Sequence, residues 1–79
     1  MKMTTTEQLA RQVSFLAQLT EQQANSAIQA MGSSILVEIR QGRAVELQGF
    51  GLFDMAPRKD GSNGIRFRQH NNVREALNP

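Results

Sequence analysis

An α+β fold, with two N-terminal helices, a three-stranded antiparallel sheet and a short C-terminal helix, is what this sequence predicts. Three observations carry that reading. Apolar residues recur with a helical period through the first half of the chain, and the period changes from 3.6 to 2 just after Gly42. A turn-forming cluster, Asp60-Gly61-Ser62-Asn63-Gly64, then divides the alternating half into hairpin strands.

Thr4 stands three residues before Glu7, the spacing of a capping box, and predicts the first helix start. Leu9, Val13 and Leu16, flanked by Ala10 and Ala17, give that helix a narrow apolar stripe from which Phe15 is excluded. Thr20 and Gln23 repeat the capping spacing and restart a helix after a tight corner. The second helix is predicted from about residue 21 to 41, stopped by Gly42, with Ala24, Ala27, Ile28, Met31, Ile35 and Ile39 on one face. At 1.5 Å per residue it is roughly 30 Å long, more than so small a domain needs for itself, so its apolar face points to a partner subunit. Met31 and Met55 fall at core-periodic positions and read as packing residues.

Val45 and Leu47 alternate with Ala44, Glu46 and Gln48 and predict a strand. Gly49 and Gly51 frame Phe50 in a tight turn, and the next strand sets Phe53 and Met55 on the face opposite Leu52 and Asp54. Pro57 lacks an N–H donor, so pairing is expected to loosen there and resume near Ile65, with Ile65 and Phe67 inward and Arg66 and Arg68 outward. Asn72, three residues before Glu75, offers an N-cap for a last short helix carrying Val73, Ala76 and Leu77, before Pro79.

At 79 residues the chain holds one domain, and 39% apolar residues with four Phe and no Trp or Tyr make a thin core, so self-association is expected. No Cys and a single His exclude a disulfide frame and an imidazole or thiolate metal site, and no cofactor loop is present. His70 has no nucleophile and orienting carboxylate beside it in sequence; it reads as a surface residue, and the chain as a non-enzyme. No apolar leader or 18-residue apolar run is present, which predicts a cytoplasmic protein without a membrane partner.

The net charge of +2 conceals an asymmetry. Residues 1–39 carry Lys2 and Arg11 against Glu7, Glu21 and Glu38, a net −1, whereas residues 40–74 carry seven cations against Glu46, Asp54 and Asp60, a net +4. Seven of the nine cations are Arg, whose planar guanidinium pairs bidentately with phosphate. A helix-turn-helix reading fails, because the second helix is too long and opens on Glu21-Gln22-Gln23 in place of phosphate-binding groups. The sheet is the better candidate for anion contact.

The run Val45-Glu46-Leu47-Gln48-Gly49-Phe50-Gly51-Leu52-Phe53, with Phe67-Arg68 and then Val73-Arg74-Glu75-Ala76-Leu77-Asn78, resembles the bacterial HU and integration host factor family of histone-like proteins. The resemblance covers nearly the whole chain in element order, and Gly-Phe-Gly-x-Phe is its most specific part. It implies an intertwined homodimer: a helical dimerisation region over residues 4–41, a sheet over 43–69 and a C-terminal helix over 71–78. It implies a dimer core of Phe50, Phe53 and Phe67, to which Ile28, Met31 and Ile35 of the long helix are assigned. The partner it implies is double-stranded DNA of the nucleoid, with Arg58, Lys59, Arg66, Arg68 and Arg74 as the contacting residues. The family's long basic arm, whose tip proline wedges into the minor groove, has no counterpart here. About nine residues separate Met55 from Ile65, and Asp54 sits on the outer face where the family often has Lys. Non-specific phosphate contact with little bending follows. The alternative is an armless dimer of this fold that serves as a structural or protein-interaction module.

Overall fold

The computed structural model describes all residues from Met1 to Pro79: α1 (Thr6–Ala17), α2 (Glu21–Arg40), β1 (Val45–Leu47), β2 (Gly51–Pro57), β3 (Asn63–Gln69) and α3 (Asn71–Leu77). Two compact units are present, Met1–Ser34 and Ile35–Pro79, with α2 contributing to each.

In the first unit the cap of α1 is Thr5 rather than Thr4. The Thr5 hydroxyl accepts from the Gln8 N–H at 3.2 Å, and Gln8 Oε1 accepts from the Thr5 N–H at 2.9 Å. Three successive threonines offer the same hydroxyl, and the register adopted keeps Glu7 in the first turn, at the positive end of the helix dipole. The helix stops where Gln18 turns left-handed at φ 58° and the N–H groups of Gln18 and Leu19 return to Ser14 O. Thr20 and Gln23 then form the second capping box as predicted, both bonds at 3.0 Å. The fully buried apolar residues of this unit are Ala10 and Ala24. Leu16 is 79% exposed, so the buried side of α1 is turned from the predicted stripe toward Ala10 and Val13. Small side chains let backbones approach closely, and Arg11 and Glu21 make an exposed ion pair at 3.7 Å.

In the second unit α2 ends in a Schellman motif: Arg43 N–H donates to Glu38 O and Gly42 N–H to Ile39 O, both at 3.0 Å, with Gly42 at φ 82°. The Arg43 guanidinium folds back onto the Glu38 carboxylate with bonds of 2.7 and 3.0 Å. The three strands are antiparallel in the order β1-β2-β3. Gly49 takes φ 77° in the β1–β2 turn, as a tight turn requires. Gly51 serves a different purpose. A Cβ there would overlap the Phe67 ring and lie 2.7 Å from Arg68 O, so this glycine makes room where the sequence reading assigned it turn freedom.

The β2–β3 hairpin also pairs further than predicted, through Ala56↔Gly64 and Pro57↔Asn63. Arg58 N–H donates to Ser62 O at 2.7 Å, which places the preceding pair, Pro57 and Asn63, at a position where neither N–H enters the ladder. The missing donor of Pro57 therefore breaks nothing. Residues 58–62 close the hairpin, with Gly61 N–H donating to Arg58 O at 3.1 Å and Asp60 Oδ1 accepting from Ser62 N–H at 2.9 Å.

The last helix begins one residue before the predicted cap. His70 occupies the N-cap position, and Asn72 instead donates its side-chain amide to Gly49 O at 2.8 Å, tying α3 to the β1–β2 turn. The His70 N–H adds a bond to Phe50 O at 2.9 Å. Asn72 is thus a tertiary anchor, because the unpaired carbonyl of the glycine turn attracts its amide more usefully than an exposed helix end does.

Alternation in the hairpin separates two faces. Phe53↔Phe67 and Met55↔Ile65 share one, and Phe67 is the centre of an aromatic cluster with ring centroids 4.9 Å from both Phe50 and Phe53. This face is poorly covered: Phe50, Met55, Ile65 and Phe67 are each 40–47% exposed. Met31 and Met55, predicted as packing residues, both remain about half exposed within the chain, since periodicity identifies a face and not what covers it.

Candidate nucleic-acid interface

The other face of the hairpin collects the charge. Position and register put Leu52↔Arg68, Asp54↔Arg66 and Ala56↔Gly64 together on it, with Arg58 following in phase and Glu46 entering from β1 opposite Leu52. Ala56 and Gly64 keep the outer end flat, and the Arg58 side chain lies directly over Gly64, where a Cβ would displace its guanidinium. Arg58, Arg66 and Arg68 therefore share one surface. Lys59 is adjacent in the turn, and Arg74 stands on α3, outside the sheet.

Asp54 changes the electrostatics of that surface. Arg66 makes two bonds to it, Nε to Oδ1 at 3.0 Å and Nη2 to Oδ2 at 2.8 Å, and Arg68 Nη2 reaches the same Oδ2 at 2.9 Å. The Asp54 side chain is only 18% exposed beneath the side chains of Arg66 and Arg68, which are 50% and 56% exposed. The Arg66 hydrogen bond first, and the positive charges of Arg66 and Arg68 with it, hold the Asp54 carboxyl below the usual carboxylate range against partial desolvation. Arg66 is raised in turn by the same bond. At the β1 side, Glu46 Oε2 lies 3.5 Å from the Nε2 of half-buried His70.

A carboxyl lowered by folding contributes stability that is complete above its unfolded pKa, about 3.9 for Asp, and is lost as pH falls below that toward the folded value. Wild type is accordingly expected to show a higher urea midpoint than Asp54→Asn at pH 7, with the two midpoints converging below about pH 4. A gap that persists unchanged at pH 2 contradicts the pairing.

The family model described as bacterial DNA-binding protein matches residues 4–68 of this chain. The chain belongs to this family. Solved structures of HU proteins share its fold. HU from Anabaena, solved in a cocrystal with DNA, superposes with a TM-score of 0.82 at 21% sequence identity, covering 96% of this chain and 99% of that one. A point mutant of HU from Thermotoga maritima gives 0.79 at 18% identity, covering 94% and 99%. No curated protein matches the chain by sequence. The resemblance to HU and integration host factor drawn from the Gly-Phe-Gly-x-Phe hairpin is borne out at the level of the family and the fold.

Within this HU-type fold, sequence reasoning placed Arg66 and Arg68 outward correctly but missed that both are tied to Asp54. The signal was present. A hairpin turning about Asp60 puts residue 54 opposite 66 and residue 52 opposite 68, and the cross-strand ion pair follows from that register. Gly64 was missed as the seat of Arg58 because it was read only as a turn residue.

Proposed function

We propose that two copies of this chain pair through the apolar sheet face and bind double-stranded DNA through the guanidinium face, gripping phosphates without reading bases. The observation that carries the proposal is the division of one hairpin into a face of Arg58, Arg66 and Arg68 and a face of half-exposed Phe50, Met55, Ile65 and Phe67. A chain whose fully buried apolar residues are Ala10, Ala24 and Ile39 lacks a self-sufficient core, and a second copy would supply it. Phe50, Phe53 and Phe67, with Ile28, Met31 and Ile35 of α2, form the dimer core in this reading, and the 79 residues act as one domain.

Lys59 and Arg74 extend the contact beyond the sheet. Bending is slight, because the hairpin closes at residues 58–62 and carries no proline at its tip, with Pro57 held in the strand end. The role is architectural and not enzymatic, and the site is the bacterial nucleoid in the cytoplasm; no helix is long and apolar enough to cross a membrane. The engagement of Arg66 and Arg68 by Asp54 favours a second reading, in which the same dimer is a structural or protein-interaction module.

A salt titration separates the two. A dimer that engages about four to six phosphates loses affinity for duplex with a log–log slope of roughly −4 to −5. Absence of duplex binding at 0.05 M salt supports the protein-interaction reading instead.

A further inference from the structure

We infer that Asp54 makes Arg66 and Arg68 a self-occupied anion site, so that this face takes up a phosphodiester by exchanging it for its own carboxylate. The inference rests on the proposed DNA contact and specifies how it is regulated. Arg66 spends its Nε–Nη2 edge on both oxygens of Asp54, at 3.0 and 2.8 Å, and Arg68 spends Nη2 on Oδ2 at 2.9 Å. That side-on edge is one of the two a guanidinium can present to a phosphate in bidentate pairing, and its N–H groups cannot serve both anions fully; the end-on Nη1–Nη2 edge shares Nη2 with it. A phosphate that takes the side-on edge, or competes for the shared Nη2, therefore displaces Asp54, and the displaced carboxylate stays close enough to repel the incoming anion. Arg58 differs: it has no carboxylate partner and lies open across Gly64.

The site consequently discriminates by anion density. A ligand with many linked phosphates can meet Arg58 first and displace Asp54 as a second step, whereas an isolated monoanion gains little over the carboxylate already present. Glu46 provides the internal comparison. It is on the same face, with its carboxylate 3.5 Å from His70 Nε2 and no bond to Arg66 or Arg68. Asp54→Asn and Glu46→Gln remove the same charge from the same surface, and only the first opens the guanidiniums.

The test measures binding of a labelled 20-base-pair duplex to wild type, Asp54→Asn and Glu46→Gln between 0.05 and 0.2 M NaCl, with far-UV circular dichroism to verify folding. Asp54→Asn is expected to tighten binding about tenfold at 0.1 M and to steepen the salt slope by about 0.9 for each protomer engaged. Glu46→Gln is expected to change affinity less than about threefold, as a remote charge screened by salt. Equal tightening by both variants overturns the inference in favour of a general field. Wild type that binds while Asp54→Asn binds no better overturns the inference alone; duplex binding by neither overturns it together with the proposed function. On the unmodified protein, the Asp54 carboxyl carbon resonance should shift as duplex saturates the face, and a resonance that stays in place overturns the exchange even if the variant misfolds.

Discussion

Arg66→Glu combined with Arg68→Glu is expected to abolish duplex binding near 0.1 M salt. The two guanidiniums are the central cations of the charged hairpin face, and reversal leaves three carboxylates in place of one carboxylate held by two cations. In a dimer the effect is doubled. Because like-charge crowding strains a sheet, the milder pair Arg66→Gln with Arg68→Gln isolates the phosphate contribution. It is expected to flatten the salt slope by about 2 to 4, as up to four phosphate contacts disappear. Fluorescence anisotropy of labelled duplex reads both variants, and unchanged affinity in both removes this face from consideration as the binding surface.

Phe67→Ala is expected to be the most destabilising single change. Its ring is 4.9 Å from both Phe50 and Phe53 and fills the space left by the missing Cβ of Gly51, so no other residue joins as many parts of the aromatic cluster. Truncating a buried Phe costs about 3 to 5 kcal/mol through lost burial and the cavity left behind. In a single chain Phe67 is still 40% exposed, and a partner subunit is what would bring the loss up to that range. Sedimentation at low micromolar concentration should show about twice the chain mass for the wild type and a shift toward monomer for the variant. A loss near 1 kcal/mol with unchanged sedimentation points to a ring that stays half in water and contradicts the dimer core.

These two expectations trace back to different kinds of information. The inward phase of Phe53 and Phe67 and the outward phase of Arg66 and Arg68 were legible from alternation alone, because side chains on a strand change face at every residue. The capping box at Thr20 and Gln23 and the stop at Gly42 were legible for a similar reason: both depend on bonds between residues close in sequence. Thr5 replaced Thr4 because neighbouring threonines present equivalent hydroxyls, and Thr5 with Gln8 offers the same capping-box spacing as Thr4 with Glu7.

The misread residues have long-range partners. Asn72 looked like a helix cap and instead holds Gly49 O, 23 positions away. Gly51 looked like turn freedom and is a gap shaped by Phe67. Asp54 looked like an isolated negative charge on the outer strand face and is the shared partner of Arg66 and Arg68. Each contact joins residues at least 12 positions apart, and of the three only the Asp54 pairing was readable in advance, from the register of a hairpin turning about Asp60.

The amino-acid order by itself determined the succession of helices and strands, the faces each presents and the concentration of arginine in the sheet half, since all three follow from local periodicity and composition. Only the tertiary structure decided which of those arginines are already engaged and that the aromatic cluster remains open to water on one side. Ion pairing and burial depend on the separation of groups in space, and for this hairpin that separation is set by a register in which residue 54 faces residue 66.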